Sequence, residues 1–398
     1  MEPDSQTSSS EFILLGLSEK PEQETLLSAL FLCMYVATVV GNLLIILAIS
    51  TDSHLQTPMY FFLASLSLVD FCLATDTVPK MLVNIQIKSK SISYSCCLTQ
   101  MYFFQFFGIM DSALIAVMAY DRFVAICHPL HYTTIISPRL CGLLVGGTWV
   151  FSGFISLTHI LLMARLVFCG NNELPHYFCD LTPLLRLSCT DTSVNKIFVL
   201  IVAGMVIATP FICILASYAR IIVAIMKVPS AGGRKKTFST CSSHLSVVVL
   251  FYGTTIGVYL CPSSVRTAVK EKASAVMYTA VTPMLNPFIY SLRNRDLKAA
   301  LWNLMRKKSH LIFMTTRSSG SFVEAGPQSL GSWASVWNCK SWKCSHSNFE
   351  LQKFKRGHQE GPITIFSNVC VCLCVCAHTQ WHLTLCDTMD CSPPGSSL

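Results

Sequence analysis

The chain has 398 residues, of which 52% are hydrophobic and only 13% are charged, and its mean hydropathy is +0.52. Charged residues make up about 25% of a typical soluble domain, so this composition excludes a disordered protein, a coiled coil and an ordinary cytosolic enzyme. The net charge of +8 comes without a long basic stripe, which excludes a nucleic-acid partner. The sequence therefore predicts a protein embedded in a lipid membrane.

Seven apolar segments are long enough to cross a bilayer. About 20 mostly apolar residues span the hydrocarbon core, and lipid offers the backbone no hydrogen bonds, so each segment is read as a helix. The predicted spans are 26–49, 59–79, 98–120, 141–163, 197–226, 239–261 and 274–291. We therefore predict an all-α membrane protein, a seven-transmembrane helix bundle over residues 26–308 with a short amphipathic eighth helix and a disordered C-terminal tail.

The distribution of basic residues predicts the orientation of the bundle, because cytoplasmic loops are enriched in Lys and Arg. Residues 1–25 are polar and acidic and lack the apolar core of a signal peptide. The connection 227–238 and the stretch after residue 291 are basic, although several lysines also lie on the opposite side. We expect an extracellular N-terminus over 1–25, a cytoplasmic C-terminus and a multi-pass location in the plasma membrane.

Four cysteines are expected on the outer side, where oxidising conditions preserve disulfides. One lies at the outer end of the third span and three lie in the long loop of residues 166–195: Cys97, Cys169, Cys179 and Cys189. Four cysteines allow three pairings, and Cys96 adds a competitor, so counting leaves the pairing open.

The tail over residues 309–398 differs from the rest of the chain. It mixes Ser, Gly, Trp, Lys and His without periodicity and holds eight of the 20 cysteines. Cysteine-rich tracts can bind zinc, but in the run 369–376 the cysteines alternate with Val and Leu and lack the two-to-four-residue gap of a zinc knuckle. We favour an atypical disordered tail.

Two motifs near the cytoplasmic side contain charged, polar or kinking residues that packing in a membrane helix does not require. At the end of the third span Asp121 precedes Arg122, and such a pair is costly at the membrane unless it has a use. The functional interpretation is a switch in which Asp121 holds Arg122 at rest and releases it to a partner. The alternative is two interfacial charges that reach water. In the seventh span Pro287 kinks the helix beside the polar Asn286. Taken alone, this pair is also compatible with a kink that has no function.

Together with three further motifs, these two resemble the rhodopsin-like G-protein-coupled receptors and, within them, the olfactory receptors. The five motifs are Pro-Met-Tyr-Phe-Phe-Leu at 58–63, Met-Ala-Tyr-Asp-Arg-Phe-Val-Ala-Ile-Cys at 118–127, His-Tyr-Phe-Cys-Asp at 176–180, Lys-Thr-Phe-Ser-Thr-Cys-Ser-Ser-His-Leu at 236–245 and Pro-Met-Leu-Asn-Pro-Phe-Ile-Tyr at 283–290. The similarity covers about residues 8–305. The motifs are most similar to those of the class II (tetrapod-type) receptors, family 7.

The resemblance implies properties that spacing does not supply. It implies the disulfides Cys97–Cys179 and Cys169–Cys189, and it implies coupling to a stimulatory, olfactory-type G protein that raises cyclic AMP. The G-protein switch that it implies consists of Asp121, Arg122, Tyr218, Asn286, Pro287 and Tyr290. No enzymatic activity is expected.

The resemblance also implies a cavity for a small volatile odorant in the outer half of the bundle. The expected lining residues are Phe104, Gln105, Gly108, Ile109, Ser112, Val202, Val206, Tyr252, Thr255 and Tyr259. The wall is mainly apolar, as in most small-molecule pockets, and Gln105, Thr255 and Tyr259 are expected to orient one polar atom of the odorant. Any single aromatic residue of this set is also compatible with a packing role.

Deeper in the membrane, two acids and two amides are expected at similar depth: Asp70, Asp111, Asn42 and Asn286. Buried acids in a membrane helix face the bundle interior and are functional candidates. Two neighbouring carboxylates disfavour each other's charge unless a cation or proton lies between them. We therefore expect a sodium or proton site here, and no other cofactor. The alternative is a neutral hydrogen-bonded network that serves packing.

The chain departs from the family in two features, and two rival functions have to be weighed. The sequence at Ser5-Gln6-Thr7 has serine where the family carries a glycosylated asparagine, and this change and the long tail leave open a non-functional receptor-like gene product. A small-molecule transporter is the rival from another class, but the seven spans show no repeated half. A membrane enzyme is a weaker rival, because the histidines lack the spacing of metal ligands. They are scattered and are read as interfacial or loop residues: His128, His131, His159 and His176.

Overall fold

The computed structural model describes residues 11–18, 20–169, 172–259 and 268–318. Within these ranges the chain forms eight long helices that account for most of the fold. They are α1 Pro21–Thr51, α2 Pro58–Ile87, α3 Tyr94–Cys127, α4 Pro138–Met163, α5 Ser193–Met226, α6 Ala231–Tyr259, α7 in the consecutive segments Ala268–Val276, Met277–Val281 and Thr282–Arg293, and α8 Arg295–Ser318. The predicted tail lies almost entirely outside the described residues.

Proline and capping residues set where several helices begin. Pro21, Pro58 and Pro138 occupy the first turns of α1, α2 and α4, where the missing N–H of proline costs no helical hydrogen bond. The side chain of Ser93 caps α3 by accepting a hydrogen bond from the Cys96 amide at 3.3 Å. These local signals are readable in the sequence and place the helix starts independently of hydropathy.

Five of the described helices, α1 to α5, are long and apolar enough to cross a membrane. The helices extend beyond the apolar runs that the sequence suggested. The second span was expected to end near residue 79, yet α2 continues to Ile87. Lys80 and Asn84 make this extension look polar in the sequence, but both side chains are buried against the bundle.

Both α5 and α7 contain one wide, π-helical turn, at Gly204–Ala208 and Met277–Val281. Each wide turn is followed directly by a Thr-Pro pair, Thr209-Pro210 and Thr282-Pro283. Proline cannot donate a backbone hydrogen bond, so a local change of helical pitch accommodates the missing bond.

A small three-stranded sheet covers the outer end of the bundle and was not predicted. Its central strand, Glu11–Leu14, pairs antiparallel with Ser91–Ser93 and parallel with Glu173–Leu174. Strands of two to four residues are too short to show the alternating pattern by which a strand is recognised. The buried side chains of Phe12 and Leu14 anchor this part of the N-terminal segment to the bundle.

The helices pack around α3, which contacts α2, α4 and α5, while α1 packs against α2 and α7. Large apolar side chains on the outer surfaces of α4 and α5 are exposed, among them Val150 at 75% and Leu200 at 74%. Such a continuous apolar exterior is costly in water and suits contact with lipid chains.

Candidate ligand cavity and cytoplasmic switch

Two disulfides organise the outer loop. Cys97 at the start of α3 is bonded to Cys179, and Cys169 is bonded to Cys189, so Cys96 takes part in neither bond. These are the two pairings that the family resemblance implied. The first bond fixes the middle of the loop directly over the outer end of α3.

Gln100 reinforces this attachment one turn further into α3. Its Oε1 atom accepts a hydrogen bond from the backbone N–H of Cys179 at 3.0 Å, and its Nε2 donates to the carbonyl of Asp76 in α2 at 2.9 Å. The buried amide therefore joins the loop, α3 and α2. The sequence analysis did not single out Gln100, because nothing in its spacing distinguishes it from other polar residues near a helix end.

Phe104 lies under the loop and faces α7. Its ring centroid is 4.9 Å from that of Phe178 in the loop and 5.4 Å from that of Tyr278 in α7. The neighbouring Tyr177 hydroxyl is hydrogen-bonded to the Thr279 hydroxyl, also in α7. The loop is therefore attached to both α3 and α7.

Ile109 lies on a different side of α3 from Phe104. It belongs to a buried apolar cluster with Ile155 of α4 and with Val202, Val206 and Phe198 of α5. Five residues along an α-helix turn by about 500°, which places Phe104 and Ile109 about 140° apart. The five predicted α3 residues therefore span an arc of about 140°, and Ile109 at one edge of it comes together with Val202 and Val206.

Ser112 and Tyr252 form the polar base of this region. The Ser112 hydroxyl is hydrogen-bonded to the Tyr252 hydroxyl at 2.9 Å and to the carbonyl of Val206 at 2.5 Å. Tyr252 also packs on Phe211, with ring centroids 5.1 Å apart. The three hydrogen-bonded residues therefore tie α3, α5 and α6 together.

Between the apolar cluster and the loop, α3 borders open space. A Cβ atom added to Gly108 would meet no atom within 4 Å. The Oε1 atom of Gln105, one turn away, is buried and has no hydrogen-bond partner among the described residues. Gln105 therefore places an unused hydrogen-bond acceptor near an uncrowded stretch of α3.

The two remaining predicted lining residues lie on α6. Thr255 is buried, and its hydroxyl donates to the carbonyl of Phe251 in its own helix at 2.7 Å. Its oxygen can still accept a hydrogen bond from a ligand. The side chain of Tyr259 lies outside the described residues.

One face of α4 contributes buried polar groups that were not expected from the sequence. His159, expected to be an interfacial or loop histidine, is buried inside α4 with its ring centroid 4.7 Å from that of Phe198. Ser152 and Ser156 are fully buried, and their hydroxyls lack a partner within the described part of the chain. The spacing 152, 156, 159 is that of one helical face and was the available signal.

In the middle of the bundle the structure brings three of the four predicted cation-site residues into one hydrogen-bonded layer with α7. The amide of Asn286 donates to both carboxylate oxygens of Asp70, at 3.1 and 2.9 Å. The amide of Asn42 donates to the carbonyl of Pro283 at 3.2 Å. Asp111, also buried, is near enough to Asp70 for the two carboxyl groups to interact electrostatically.

Several oxygen atoms of this layer are left without donors. Asn42 Oδ1, Asn286 Oδ1 and Asp111 Oδ1 are buried and have no hydrogen-bond partner among the residues that the structure describes. Buried acceptors are rarely left unsatisfied. The layer therefore has unused capacity to hold a cation, a proton or water.

At the cytoplasmic end of α3, Asp121 and Arg122 do not form the ion pair that the sequence suggested. Asp121 instead accepts a hydrogen bond from the Tyr132 hydroxyl at 2.7 Å. In the described ranges the one ion pair within 4.0 Å is Lys90–Glu24. Adjacent residues of a helix point about 100° apart, so their side chains do not face each other. Burial, and then the Asp121 carboxylate, raise the pKa of Tyr132, which keeps its hydroxyl protonated as a donor.

Arg122 lies instead beside a hydrogen-bonded chain that joins α5, α6 and α3. The Tyr218 hydroxyl is bonded to His244 Nδ1 at 2.8 Å, and His244 Nε2 is bonded to the carbonyl of Ile115 at 3.0 Å. A carbonyl only accepts, so Nε2 carries the hydrogen and Nδ1 accepts from Tyr218. His244 is fully buried. It was quoted within a motif but not named as part of the switch.

The end of α7 completes this region. Pro287 packs against α1 so closely that a Cβ atom added to Gly41 would lie 3.0 Å from its ring. The buried Tyr290 hydroxyl has no partner among the described residues, and neither has the buried Nε of Arg122. Two unpartnered donors thus remain between α3 and α7 at this end of the bundle.

Comparison with known proteins decides the family. A sequence profile described as olfactory receptor matches residues 31–308. The chain is 87% identical over 308 residues to olfactory receptor 1M1 of Mus musculus, covering 77% of this chain and 98% of that protein. The chain belongs to the olfactory receptor family. Olfactory receptor 1M1 of Homo sapiens is 82% identical over the same shares. Olfactory receptor 1f45 of Rattus norvegicus is 60% identical over 301 residues, with shares of 76% and 96%.

Family membership fixes several of the earlier expectations. This receptor is a multi-pass membrane protein with the seven-transmembrane bundle of its family, and it is not an enzyme. The finer assignment to family 7 is wrong, because the three relatives named above are receptors of family 1. The comparison over 308 residues therefore corrects what the short motifs suggested.

Proposed function

We propose that this receptor binds a small volatile odorant in the outer half of the bundle and activates a stimulatory, olfactory-type G protein that raises cyclic AMP. Its membership of the olfactory receptor family supports an odorant ligand. The structural observation that carries the proposal is the open space beside Gly108, next to the unpartnered oxygen of Gln105.

The geometry favours an apolar odorant with one hydrogen-bond donor, such as a volatile alcohol. The apolar cluster around Ile109, Val202 and Val206 offers a hydrophobic wall, and burial of apolar surface contributes about 25 cal/mol per Å². The free Oε1 of Gln105 accepts a hydrogen bond from the ligand hydroxyl. Thr255 and Tyr259 supply the remaining polar contacts in this proposal.

The signal passes from the cavity to the cytoplasmic side through α6. Tyr252 lies at the base of the cavity, and His244 lies two turns closer to the cytoplasm on the same helix, bonded to α3 through Ile115. An outward tilt of α6 breaks that bond and opens the space around Arg122 and Tyr218 to the G protein, with Asn286, Pro287 and Tyr290 adjusting in α7. The odorant drives this change only through its higher affinity for the open state.

A sodium ion in the layer of Asp70, Asp111, Asn42 and Asn286 biases the receptor toward rest. The donor set fits a hard cation, because it consists of carboxylate and amide oxygens, and three of those oxygens have no donor in the described structure. Two buried carboxylates without a counter-charge are costly, so either the cation or a proton must neutralise them.

The N-terminus lies outside and the C-terminus lies in the cytoplasm. The strand Glu11–Leu14 pairs with a strand of the disulfide-bonded loop, which places the N-terminal segment and the two disulfides on one side. Disulfides persist on the oxidising side of a plasma membrane. The basic start of α6 and the basic α8 lie at the other end, as expected for the cytoplasmic side.

A cyclic AMP assay with the full-length receptor tests the odorant site. We expect a volatile alcohol to activate the wild type and the Gln105→Leu variant to need about tenfold more of it, because one hydrogen bond to the ligand is lost. The response to an ether of the same shape, which has no hydroxyl donor, should not change. Ser156→Ala is the matched control, since it removes a different unpartnered buried group.

Two results would contradict the site. One is an alcohol response of Gln105→Leu that equals that of the wild type at the same surface expression, measured by antibody staining. The other is the absence of any response to a broad panel of volatile alcohols in cells where the receptor is present at the surface.

A further inference from the structure

A second cavity lies at the outer end of the bundle and is not lined by any of the predicted odorant-binding residues. Its walls come from residues 14–18, the first turns of α1, the last turns of α2 and the outer loop. The space between these walls measures about 430 Å³, a figure that includes the open solvent at its mouth.

Asn84 is the unusual residue of this cavity. Its side chain is only 6% exposed and lines the space. Neither its Nδ2 nor its Oδ1 has a hydrogen-bond partner in the described ranges. A buried amide without partners is costly and is rarely left in that state. Asn84 therefore presents one unused donor and one unused acceptor to whatever occupies the cavity.

The rest of the wall specifies a neutral occupant. Apolar side chains dominate it, among them Leu17, Leu27 and Ile85. The two charged groups at the wall, Glu24 and Lys90, form an ion pair at 2.9 Å and neutralise each other. A charged ligand would have to break this pair or remain uncompensated, whereas a neutral one leaves it intact.

We propose that this cavity is a second binding site, for a small neutral molecule that carries a primary amide on a short alkyl chain. The amide N–H of such a ligand donates to Asn84 Oδ1, while its carbonyl accepts from Asn84 Nδ2, and its alkyl chain packs on the leucine side chains. A carboxylic acid offers the same pattern only when protonated, and at neutral pH it is ionised.

Occupancy of the site also stabilises the outer end of the bundle. Tyr177 of the outer loop lines the cavity and is hydrogen-bonded to Thr279 of α7. A ligand here therefore contacts the N-terminal segment, α1, α2 and the loop at once. A ligand that binds only the folded state raises the unfolding temperature.

Butyramide is the probe, used with the purified full-length receptor in detergent micelles. Saturation-transfer NMR measures its binding, and thermal unfolding measures its effect on stability. We expect butyramide to bind and to raise the unfolding temperature. N,N-dimethylbutyramide, which has no N–H donor, is expected to bind at least about tenfold more weakly, which corresponds to one lost hydrogen bond.

Two variants locate the binding. Asn84→Leu has a similar side-chain volume and removes both unpartnered groups, so the receptor should fold at least as stably and lose butyramide binding by at least about tenfold. Ser156→Ala removes an unpartnered buried hydroxyl elsewhere and should leave butyramide binding unchanged.

The proposal is overturned if wild type shows no butyramide binding at tens of millimolar, since water then satisfies Asn84. Undiminished binding by Asn84→Leu, or equal binding of the dimethyl compound, also overturns it. Should Asn84→Leu fail to fold, Ile85→Phe fills the cavity from the neighbouring position, and full retention of butyramide binding by that variant is equally decisive. None of these readouts depends on an odorant response.

Discussion

The two ends of α3 are held in opposite ways. At the outer end, a disulfide at Cys97 and two hydrogen bonds of Gln100 attach the helix to the loop and to α2. At the cytoplasmic end, single hydrogen bonds involving Tyr132 and His244 hold it, and the Nε atom of Arg122 has no partner among the described residues. One end is fixed covalently, while the other can exchange its partners at low cost.

This difference indicates where a ligand can produce movement. The proposed odorant cavity lies below the fixed end, so a molecule bound there would not readily displace the loop or the outer part of α3. In the proposed mechanism the same binding free energy separates α6 from α3, which the bond from His244 to Ile115 joins at that end. The least constrained end of the bundle is therefore the end that is proposed to report the ligand.

The largest expected effect comes from removing the outer anchor. Replacing both Cys97 and Cys179 by serine opens a connection of 82 residues, which should destabilise the fold by about 4 kcal/mol or more. We expect little receptor at the cell surface, measured by antibody staining of intact cells. Replacing Cys169 and Cys189 is the matched control, with a smaller expected loss of about 3 kcal/mol, because 20 residues separate them.

Normal surface levels and normal thermal stability without the Cys97–Cys179 bond would contradict the claim that the outer end of α3 is held more firmly. The outer end would then be no more fixed than the cytoplasmic end. A greater loss of stability without the Cys169–Cys189 bond would show that the main attachment lies within the loop and not at α3.

The next largest effect is expected at the opposite end. His244→Phe keeps an aromatic ring but removes the bonds to Tyr218 and Ile115, each worth about 1 kcal/mol. Since the bond to Ile115 holds α6 against α3, its loss should raise cyclic AMP in the absence of odorant by about fivefold. Tyr218→Phe is the partial control, because it removes only the link to α5.

A fall in basal cyclic AMP for His244→Phe would contradict this view. It would mean that the chain from Tyr218 through His244 to Ile115 stabilises the signalling arrangement and not the resting one.

Part of the fold could be predicted from the sequence, and part of it could not. Hydropathy located the five apolar helices α1 to α5, because lipid exposure demands long apolar runs such as residues 197–226. It placed the end of α2 too early, since Asn84 is polar yet buried, and hydropathy does not distinguish a buried amide from an exposed one. The strand Glu11–Leu14 and the two strands that pair with it were too short to be recognised in the sequence.

The site was predicted in composition but not in arrangement. Ile109, Ser112, Val202 and Tyr252 do converge, because helical spacing places them correctly. The pairing of Asp121 with Arg122 was wrong, since adjacency in sequence does not bring side chains of one helix together. The disulfide pairing came only from the resemblance, because the count of cysteines permitted three solutions.

Between the two ends, the layer around Asp70 offers a smaller effect. Replacing sodium chloride by choline chloride at constant ionic strength should lower the unfolding temperature of the purified receptor by a few degrees, since a cation bound at about tenfold above its Kd contributes about 1.4 kcal/mol. Asp111→Asn should abolish this sodium dependence. Asp191→Asn, at an exposed position, should retain it.

A sodium dependence that survives Asp111→Asn would assign the effect to another part of the receptor. The layer would then be a protonated or hydrated network without a cation.

The smallest effect is expected at the surface of the outer end. Glu24→Gln removes the ion pair with Lys90, whose side chains are 24% and 37% exposed. Exposed pairs contribute about 1 kcal/mol or less, so the thermal unfolding temperature should change little. A loss comparable to that of the Cys97–Cys179 disulfide would show that the outer anchor is electrostatic and not covalent.

The most direct test of the account measures nucleotide exchange on a purified stimulatory G protein by the reconstituted full-length receptor. The account predicts that an activating odorant accelerates exchange by the wild type. Arg122→Ala should abolish that acceleration while the odorant still binds, as shown by the same saturation-transfer signal. Odorant-driven exchange that persists undiminished in Arg122→Ala would contradict the central claim that the loosely held end of α3 reports the occupied cavity.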